Sequence, residues 1–214
     1  MEKRKLRMRI AEAAVVVLVI AGIIFCIQSD SRSVAEVKDT YVMAVPAGER
    51  SSTTFLFHFN VERKTYSEEA QTSDMDPIVL SSGSYTCTEK EKTVIITVRA
   101  DSGEEQNYVL DGKYLIGQKC FYKGTIPDAD TFEAVCTYTE DTGLYHKLMF
   151  HEDGTYDEKA GSAADMEDEE KLAATHGSYR RDGDKIRREA DDGSRLIDFL
   201  VYNGKITNSY YTAD

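Results

Sequence analysis

The chain has 214 residues, of which 41% are hydrophobic and 30% are charged, and its formal net charge at neutral pH is −12. Removing the five basic and two acidic side chains of the first 27 residues leaves the remainder at about −15. Such an acidic body repels nucleic acid and anionic lipid headgroups, so we expect no nucleic-acid partner.

The first 27 residues differ in kind from the rest. Five basic residues, the last of them Arg9, precede the uncharged run from Ala13 to Ile27. A basic flank before an apolar segment stays in the cytoplasm, so we expect the following residues on the outer side of the membrane. At 1.5 Å per residue the run spans roughly 22 Å, which is less than the ~30 Å hydrocarbon core. A retained anchor and a cleaved signal therefore both remain open.

We predict a cytoplasmic basic segment at residues 1–12, a transmembrane anchor or signal segment at 13–29 and a linker at 30–38. The favoured localisation is the cell membrane, with a single span and an extracellular C-terminal body. The alternative is secretion after cleavage near Ala35, where small residues precede the acidic body. Cys26 is interpreted as a structural cysteine of the membrane segment, because bulky Phe25 precedes it where a lipoprotein signal carries a small residue.

Residues 39–124 show the alternation of an antiparallel β unit. Phe55, Phe57 and Phe59 occupy every second position of one strand, which is the period of a strand with one buried face. Further short segments follow, and turn residues such as Asp111-Gly112 separate them. The strands predicted for this unit are Tyr41–Val45, a strand through Phe55–Phe59, a strand from Thr65, Ser84–Thr88, Thr93–Arg99, Gln106–Leu110 and Tyr114–Tyr122.

Residues 128–214 repeat the first unit. Five short motifs recur in the same order, with offsets of 91, 90, 91, 94 and 92. The nearly constant offset indicates a tandem duplication of a domain-sized unit. The matched pairs are Asp39-Thr40-Tyr41 with Asp130-Thr131-Phe132, Thr65-Tyr66 with Thr155-Tyr156, Asp74-Met75-Asp76 with Asp165-Met166-Glu167, Gly83-Ser84-Tyr85 with Gly177-Ser178-Tyr179, and Gly112-Lys113 with Gly204-Lys205.

The second unit keeps the strand pattern and adds one short helix. Ser162 and Asp165 have the spacing of a capping box, and Glu167 and Lys171 form a favourable i, i+4 pair. We predict a helix over residues 163–174. The strands predicted for this unit are Thr131–Tyr138, a strand through His146–Phe150, a strand from Thr155, Ser178–Arg181, Asp184–Ala190, Leu196–Tyr202 and Lys205–Tyr211.

This order of signals resembles the bacterial exported lipocalin-like domains of calycin type. A strand pair leads through a Thr-Tyr hairpin to Gly83-Ser84-Tyr85 or Gly177-Ser178-Tyr179, and a later strand closes on Asp111-Gly112-Lys113 or Asn203-Gly204-Lys205. The resemblance implies an all-β fold of two tandem antiparallel meander or small-barrel units, whose interiors are filled or hold one small ligand. A filled interior is favoured, and one larger barrel built from both units remains the alternative.

Three cysteines follow the N-terminal segment: Cys87, Cys120 and Cys136. Three cysteines cannot all pair within one chain, and none recurs at the matching position of the other unit. One bridge from Cys120 to Cys136 stays open, but three buried thiols are the favoured interpretation.

Two histidines of the second unit, His146 and His151, lie five residues apart and beside the acids Glu152 and Asp153. An odd spacing on a strand sends the two imidazoles to opposite faces, whereas zinc needs three or four converging ligands. We therefore expect a half-buried His146 and a turn histidine at 151, and we predict no metal site.

Two charged clusters are interpreted as structural. The acids lie on the predicted capped helix, where the macrodipole favours them, and they lack the alternating ligands and sharp-turn glycine of a calcium loop. The basic residues alternate with acids on two strands, which predicts a solvated, charge-paired hairpin. The acidic cluster is Asp165, Glu167, Asp168, Glu169 and Glu170, and the basic cluster is Arg180, Arg181, Lys185, Arg187 and Arg188.

The sequence shows neither a Gly-x-Ser-x-Gly elbow nor a Gly-rich phosphate loop between a strand and a helix. We assign no catalytic, cofactor-binding or metal residue, and expect an exported, membrane-tethered binding protein with a protein or envelope partner. The alternatives are a hydrolytic or metal-dependent envelope enzyme and a carrier of a small apolar ligand. Because His146 replaces Phe55, we expect any specific task in the second unit, around His146 and the predicted helix.

Overall fold

The computed structural model describes residues 36–46, 52–72, 75–90 and 93–214. The predicted cytoplasmic segment and the membrane or signal segment, with Cys26 and Ala35, lie outside these residues. Within the described ranges, no helix is both long enough and apolar enough to cross a membrane. Residues 37–214 form one compact unit, and the following description concerns that unit.

The fold is all-β, as predicted, and its 15 strands form two antiparallel sheets. The first seven strands are β1 Thr40–Pro46, β2 Ser52–Asn60, β3 Thr65–Thr72, β4 Ile78–Lys90, β5 Thr93–Ala100, β6 Glu105–Asp111 and β7 Tyr114–Gly117. The remaining eight are β8 Ala134–Thr139, β9 Leu144–Phe150, β10 Thr155–Ser162, β11 Ala173–Asp182, β12 Lys185–Ala190, β13 Phe199–Tyr202, β14 Lys205–Thr207 and β15 Tyr210–Ala213.

The first sheet is a closed barrel of eight strands, in the order β1-β15-β7-β6-β5-β4-β3-β2. Seven of its strands form a meander, and the eighth is the last strand of the chain. In β15, Tyr211 pairs with Leu115 of β7, and Ala213 pairs with Tyr41 of β1. Closure leaves no unpaired edge in this sheet, which removes a site where strands of other chains would pair.

The second sheet has seven strands in the order β14-β13-β12-β11-β10-β9-β8, and it forms a half-barrel. A connecting segment, residues 121–126, lies between its two edge strands. The Tyr122 amide donates to the Ile206 carbonyl at 2.9 Å, and the Lys123 and Thr137 backbones exchange two hydrogen bonds. This segment therefore covers the gap between the edges and places the Tyr122 ring, 2% exposed, in the core of the half-barrel.

Each sheet is completed by a segment from the other predicted unit. The connecting segment begins in the predicted first unit and packs in the half-barrel, while β15 falls in the predicted second unit and completes the closed barrel. The predicted single strand from Lys205 to Tyr211 is wrong. It is two strands, β14 and β15, and each belongs to a different sheet.

The strands form two separate sheets, so the alternative of one larger barrel built from both units is wrong. The interior of the closed barrel is packed with aromatic rings. Phe57 stacks on Phe59 and Tyr66 with centroid distances of 4.9 and 5.2 Å. The rings of Tyr108 and Tyr211 meet Phe57 edge-on at 5.3 and 5.5 Å. The alternation of phenylalanines in β2 thus has the predicted consequence of a buried face.

The strands of the two units pair in the same register at the repeated Gly-Ser-Tyr motif. Tyr66 of β3 pairs with Gly83 of β4, and Tyr156 of β10 pairs with Gly177 of β11. A Cβ atom at either glycine would lie 2.1 Å from a carbonyl oxygen of the next strand. The glycine of the repeated Gly-Ser-Tyr motif is therefore required by the close approach of a neighbouring backbone.

The predicted helix over residues 163–174 is wrong in extent. Two single 3-10 turns, Ala163–Asp165 and Glu169–Lys171, occupy this stretch, and β11 begins at Ala173. The Ser162 side chain does accept from the Ala164 amide, as its capping position predicts. Lys171 pairs with Asp168 and Asp165, rather than with Glu167. The buried side chain of Leu172 and the start of β11 at the next residue fix the end of this stretch against the sheet, which leaves no room for a continuous helix to residue 174.

Replacement of Gly177 by alanine is expected to destabilise the protein by about 2 kcal/mol or more, because backbone and not a flexible side chain opposes the new methyl group. Thermal and chemical denaturation of the full chain measure the change. Gly143→Asn is the control, since a Cβ at Gly143 meets nothing within 4 Å and asparagine tolerates its positive φ. Equal stability of the Gly177→Ala and Gly143→Asn variants would contradict the close approach.

Candidate functional site

The histidines of the second unit lie on opposite faces of the half-barrel, as their spacing predicts. Asp157 and Glu158 are neighbours on β10, so their side chains point to opposite sides. His146 contacts Glu158 on the inner side, whereas His151 contacts Asp157 on the outer side. The inner histidine belongs to a larger set of charged side chains.

Four charged side chains form a chain across the interior of the half-barrel. Arg188 of β12 donates from Nη1 to Glu158 Oε2 at 2.7 Å. Glu158 Oε1 lies 3.2 Å from His146 Nδ1, and His146 Nε2 lies 3.2 Å from Glu140 Oε1. Only 6% of the Arg188 side chain and 17% of the Glu158 side chain are exposed. We call these four residues the ionic chain.

The ionic chain occupies positions that hold other residues in the closed barrel. In the paired strands, His146 takes the place of Phe55, and Glu158 takes the place of Glu68. Arg188 takes the place of Val98, which lies opposite Tyr85 in the closed barrel. Glu68 is also turned inward, where it accepts a hydrogen bond from the Tyr211 hydroxyl at 2.5 Å. An inward carboxylate is thus common to both units, and the second unit surrounds it with cations.

The partners of the ionic chain determine its protonation. Burial opposes ionisation of Glu158, but the hydrogen bond from His146 and the charge of Arg188 outweigh it and lower the Glu158 pKa. The hydrogen bond to Glu158 raises the pKa of His146 against the opposite effect of burial, and Glu140 adds to the rise. Because a carboxylate lies 3.2 Å from each ring nitrogen, both nitrogens can donate when the ring is protonated, so the arrangement favours the imidazolium form of His146.

An open cavity of about 410 Å³ lies beside the end of the ionic chain. Its aromatic wall consists of Tyr122 and Tyr138, with ring centroids 5.2 Å apart, and of His146, which lies 6.3 Å from Tyr138 and nearly parallel to it. We call this space the tyrosine cavity. Its volume falls within the range typical of small-molecule sites.

The rim of the tyrosine cavity carries charged and reactive groups. Carboxylates line it at Glu104 and Glu105 from the closed barrel, and at Glu140 and Asp141 from the turn after β8. The half-buried thiol of Cys120 also lines it. Burial and a hydrogen bond with Cys120 raise the pKa of Tyr138 to about 12, so that phenol is neutral at physiological pH.

A second cavity of about 400 Å³ shares Lys119 and Tyr138 with the first. Its other lining residues include Phe121, Lys123 and Met166, and no carboxylate lines it. The two spaces therefore differ in the sign of their charge, and only the tyrosine cavity touches the ionic chain.

The outer face of β10 has a different arrangement. Asp157 accepts from His151 Nε2 at 2.8 Å with one oxygen and bonds His176 with the other. These bonds lower the pKa of Asp157, and the bond to Asp157 raises the pKa of His151. Within the residues that the structure describes, no group of three or more histidine, cysteine or carboxylate side chains is arranged to hold a metal ion.

The acidic cluster of the 3-10 turns binds lysines. Glu169 accepts from Lys147 at 2.5 Å and from Lys159, on two adjacent strands. These contacts lower the Glu169 pKa to about 2. The cluster thus fastens the turns to the outer face of the sheet.

The basic hairpin is charge-paired as predicted, but two of its arginines are not solvated. Arg187 bonds Asp182 at 2.7 Å near the surface, whereas Arg181, which bonds Asp128 at 3.1 Å, has only 13% of its side chain exposed. Arg188 is buried instead, with its guanidinium 4.2 Å from the centroid of Phe199 and 5.3 Å from that of Tyr156. The prediction of a solvated Arg188 is wrong, because strand pairing turns this position inward.

The three cysteines of the described residues are free thiols. The bridge from Cys120 to Cys136 is therefore absent, and only Cys136 is buried. The prediction of three buried thiols is wrong for Cys87, which is exposed on β4, and for Cys120, which is half-buried.

No family model, no curated protein and no solved structure matches this chain. The site is therefore interpreted from its geometry. Sequence reasoning singled out His146 but missed Glu158, Arg188 and the two tyrosines. The spacing of the repeats does contain a signal for Arg188. Gly103 and Gly193 are offset by 90, and the same offset matches Arg188 with the inward-facing Val98.

Arg188→Met is expected to destabilise the protein by about 3 to 5 kcal/mol, because it leaves the buried Glu158 carboxylate with His146 as its only cation. Chemical denaturation of the full chain measures this. The control Arg99→Met breaks an exposed pair with Glu105 and is expected to cost less than about 1 kcal/mol. The double variant R188M/E158L is expected to recover most of the loss, and failure to recover would contradict a charge-pairing role.

His146 is expected to make stability depend on pH. Its pKa is raised in the folded state, so its contribution is complete below the unfolded pKa and is lost as pH rises through the folded pKa. The difference in unfolding free energy between the wild type and His146→Gln should therefore shrink as pH rises through this window. A difference that stays constant would show that His146 does not bind its extra proton in the folded state.

Proposed function

We propose that this protein is an exported, membrane-tethered binding protein whose ligand site is the tyrosine cavity. One observation carries the proposal. The interior of the closed barrel contains stacked aromatic rings, whereas an open cavity of about 410 Å³ lies beside the buried ionic chain of the half-barrel. The half-barrel supplies the aromatic wall and Glu140, and the closed barrel supplies Glu104 and Glu105 to the rim.

Export is supported by the basic residues that precede the uncharged run from Ala13 to Ile27. The acidic body keeps the protein soluble and away from anionic headgroups. We further propose that the closed barrel is lipocalin-like. Its eight strands and meander order support this relationship, although the chain's last strand completes it.

The site differs from that of an apolar carrier. A carrier of the predicted kind would use the phenylalanine stripe of β2 as a cavity wall. Phe57 and Phe59 instead contact each other and the surrounding tyrosines, and a cavity that Phe57 lines measures about 130 Å³. The larger space has a polar rim, so a ligand with polar or charged groups fits it better.

General-base catalysis by His146 is the second candidate function. In its favour, Glu158 orients the ring and His146 lines the cavity. Against it, both ring nitrogens are already bonded to carboxylates, so His146 must release Glu140 before it accepts a proton. Hydrolysis of p-nitrophenyl acetate that disappears in His146→Gln would favour this candidate over simple binding.

Export is tested with the exposed thiol of Cys87. A membrane-impermeant maleimide added to intact cells that express the full chain should label Cys87, and Cys87→Ser should remove this label. Mildly alkaline pH speeds the reaction, because partial burial raises the pKa of the thiol. Labelling of Cys87 that appears only after the cells are lysed would show that the body lies in the cytoplasm, and the proposed function would be wrong.

A further inference from the structure

We propose that the tyrosine cavity binds a small organic cation that carries an ammonium or quaternary ammonium group. This inference rests on the proposed function, because it names the ligand class of the same cavity. It also commits the cavity to one chemistry: aromatic faces and a carboxylate together select positive charge over an uncharged molecule of equal shape.

The charge of the lining favours a cation. Four carboxylates line the cavity, against Lys119 and His146 as the cationic lining groups and Arg99, which pairs with Glu105 at 3.2 Å. The lining is therefore negative whether His146 is protonated or neutral. Exposed carboxylates at the rim attract a cation, and Glu140 at the end of the ionic chain is 37% exposed and accessible to it.

The aromatic wall supplies the second element. Tyr122 and Tyr138 are tilted by 35° and lie 5.2 Å apart, and His146 extends the wall next to them. Burial raises the pKa of Tyr122 and of Tyr138, so both rings remain neutral phenols. Tyr138 is only partly buried and presents its ring to the cavity, while Tyr122, 2% exposed, packs behind it. The π face of a neutral phenol is negative and attracts a cation that has lost part of its hydration.

The same interior already holds a cation in this manner. The Arg188 guanidinium lies over the rings of Phe199 and Tyr156, and it donates to Glu158. The tyrosine cavity lies on the other side of His146 and offers the same combination of rings with Glu140. A ligand ammonium there would make the contacts that Arg188 makes within the chain.

His146 makes the binding depend on pH. The groups that face it are Glu140, Glu158 from β10, Arg188 through Glu158, and the rings of Tyr122 and Tyr138. A protonated His146 competes with the ligand for Glu140. Loss of its proton removes that competitor, so affinity for the cation should rise as pH rises through the His146 pKa, and His146→Gln should flatten this rise.

The test compares choline with its uncharged isostere 3,3-dimethylbutan-1-ol on the purified full chain in detergent. Calorimetric titration should show saturable binding of choline that is about tenfold tighter than binding of the alcohol. n-Butylammonium is the second cation. Choline should also slow alkylation of Cys120, which lines the cavity, and leave alkylation of the exposed Cys87 unchanged.

Variants assign the binding to the cavity. Glu140→Gln should weaken choline about tenfold, because the ligand loses its charged partner. Glu133→Gln changes an exposed carboxylate that does not line the cavity and should leave affinity unchanged. Matching melting temperatures for the two variants show that the difference is local.

The outcomes separate the two proposals. If the alcohol binds as tightly as choline and protects Cys120 equally, the cavity binds ligands but does not select charge, so the cation proposal is wrong and the proposed function stands. If neither choline nor butylammonium binds or protects Cys120, the cation proposal is wrong. If choline binds as expected while Cys87 is labelled only in lysed cells, the cation site stands and export is wrong.

Discussion

Pairing of the last strand between β1 and β7 is the constraint on which the rest of the structure depends. β15 is hydrogen-bonded to both β1 and β7 and places Tyr211 inside a barrel whose other strands all end by Gly117. Its neighbour Tyr210 packs in a separate cluster with Leu200 of the half-barrel. The connecting segment makes the reverse exchange through Tyr122. Each sheet therefore lacks a part until the other is present, and the duplicated units fold as one body rather than as independent beads.

Within that body, the two units differ in what surrounds one inward carboxylate. Both units keep the motif glycine and the inward carboxylate, Glu68 or Glu158, because backbone spacing and strand register fix them. In the closed barrel the carboxylate meets a tyrosine hydroxyl and the surroundings are rings. In the half-barrel the carboxylate of Glu158 contacts Arg188 and His146. Buried charged groups require hydrogen-bond partners, so they pack less densely than hydrocarbon side chains.

Sequence reasoning was most accurate where the cause is local. The period of Phe55 to Phe59 and the Asp-Gly turns predicted strands and hairpins, because alternation and positive φ act within a few residues. The prediction of a helix over 163–174 was wrong, because Glu169 in this stretch bonds Lys147 and Lys159 of the sheet. These contacts lie far along the chain and leave no local signal. The placement of β15 depends on partners far along the chain, so no local pattern shows it. Arg188 alternates with the buried Ile186 and Ala190, so its inward position has a local signal, whereas its partner Glu158 does not.

The second hairpin is shorter than the first but keeps its register. From Gly83 to Gly103 the first unit uses 20 residues, and from Gly177 to Gly193 the second uses 16. Each strand of the second hairpin is two residues shorter, so Arg188 faces the core opposite Tyr179 as Val98 does opposite Tyr85. A buried guanidinium is stable there only because Glu158, Phe199 and Tyr156 surround it. Those contacts fix the orientation of Glu158, Glu158 orients His146, and His146 holds Glu140 at the tyrosine cavity. The geometry of the cavity is thus set from inside the core, which is the pre-organisation that selective binding of a small ligand requires.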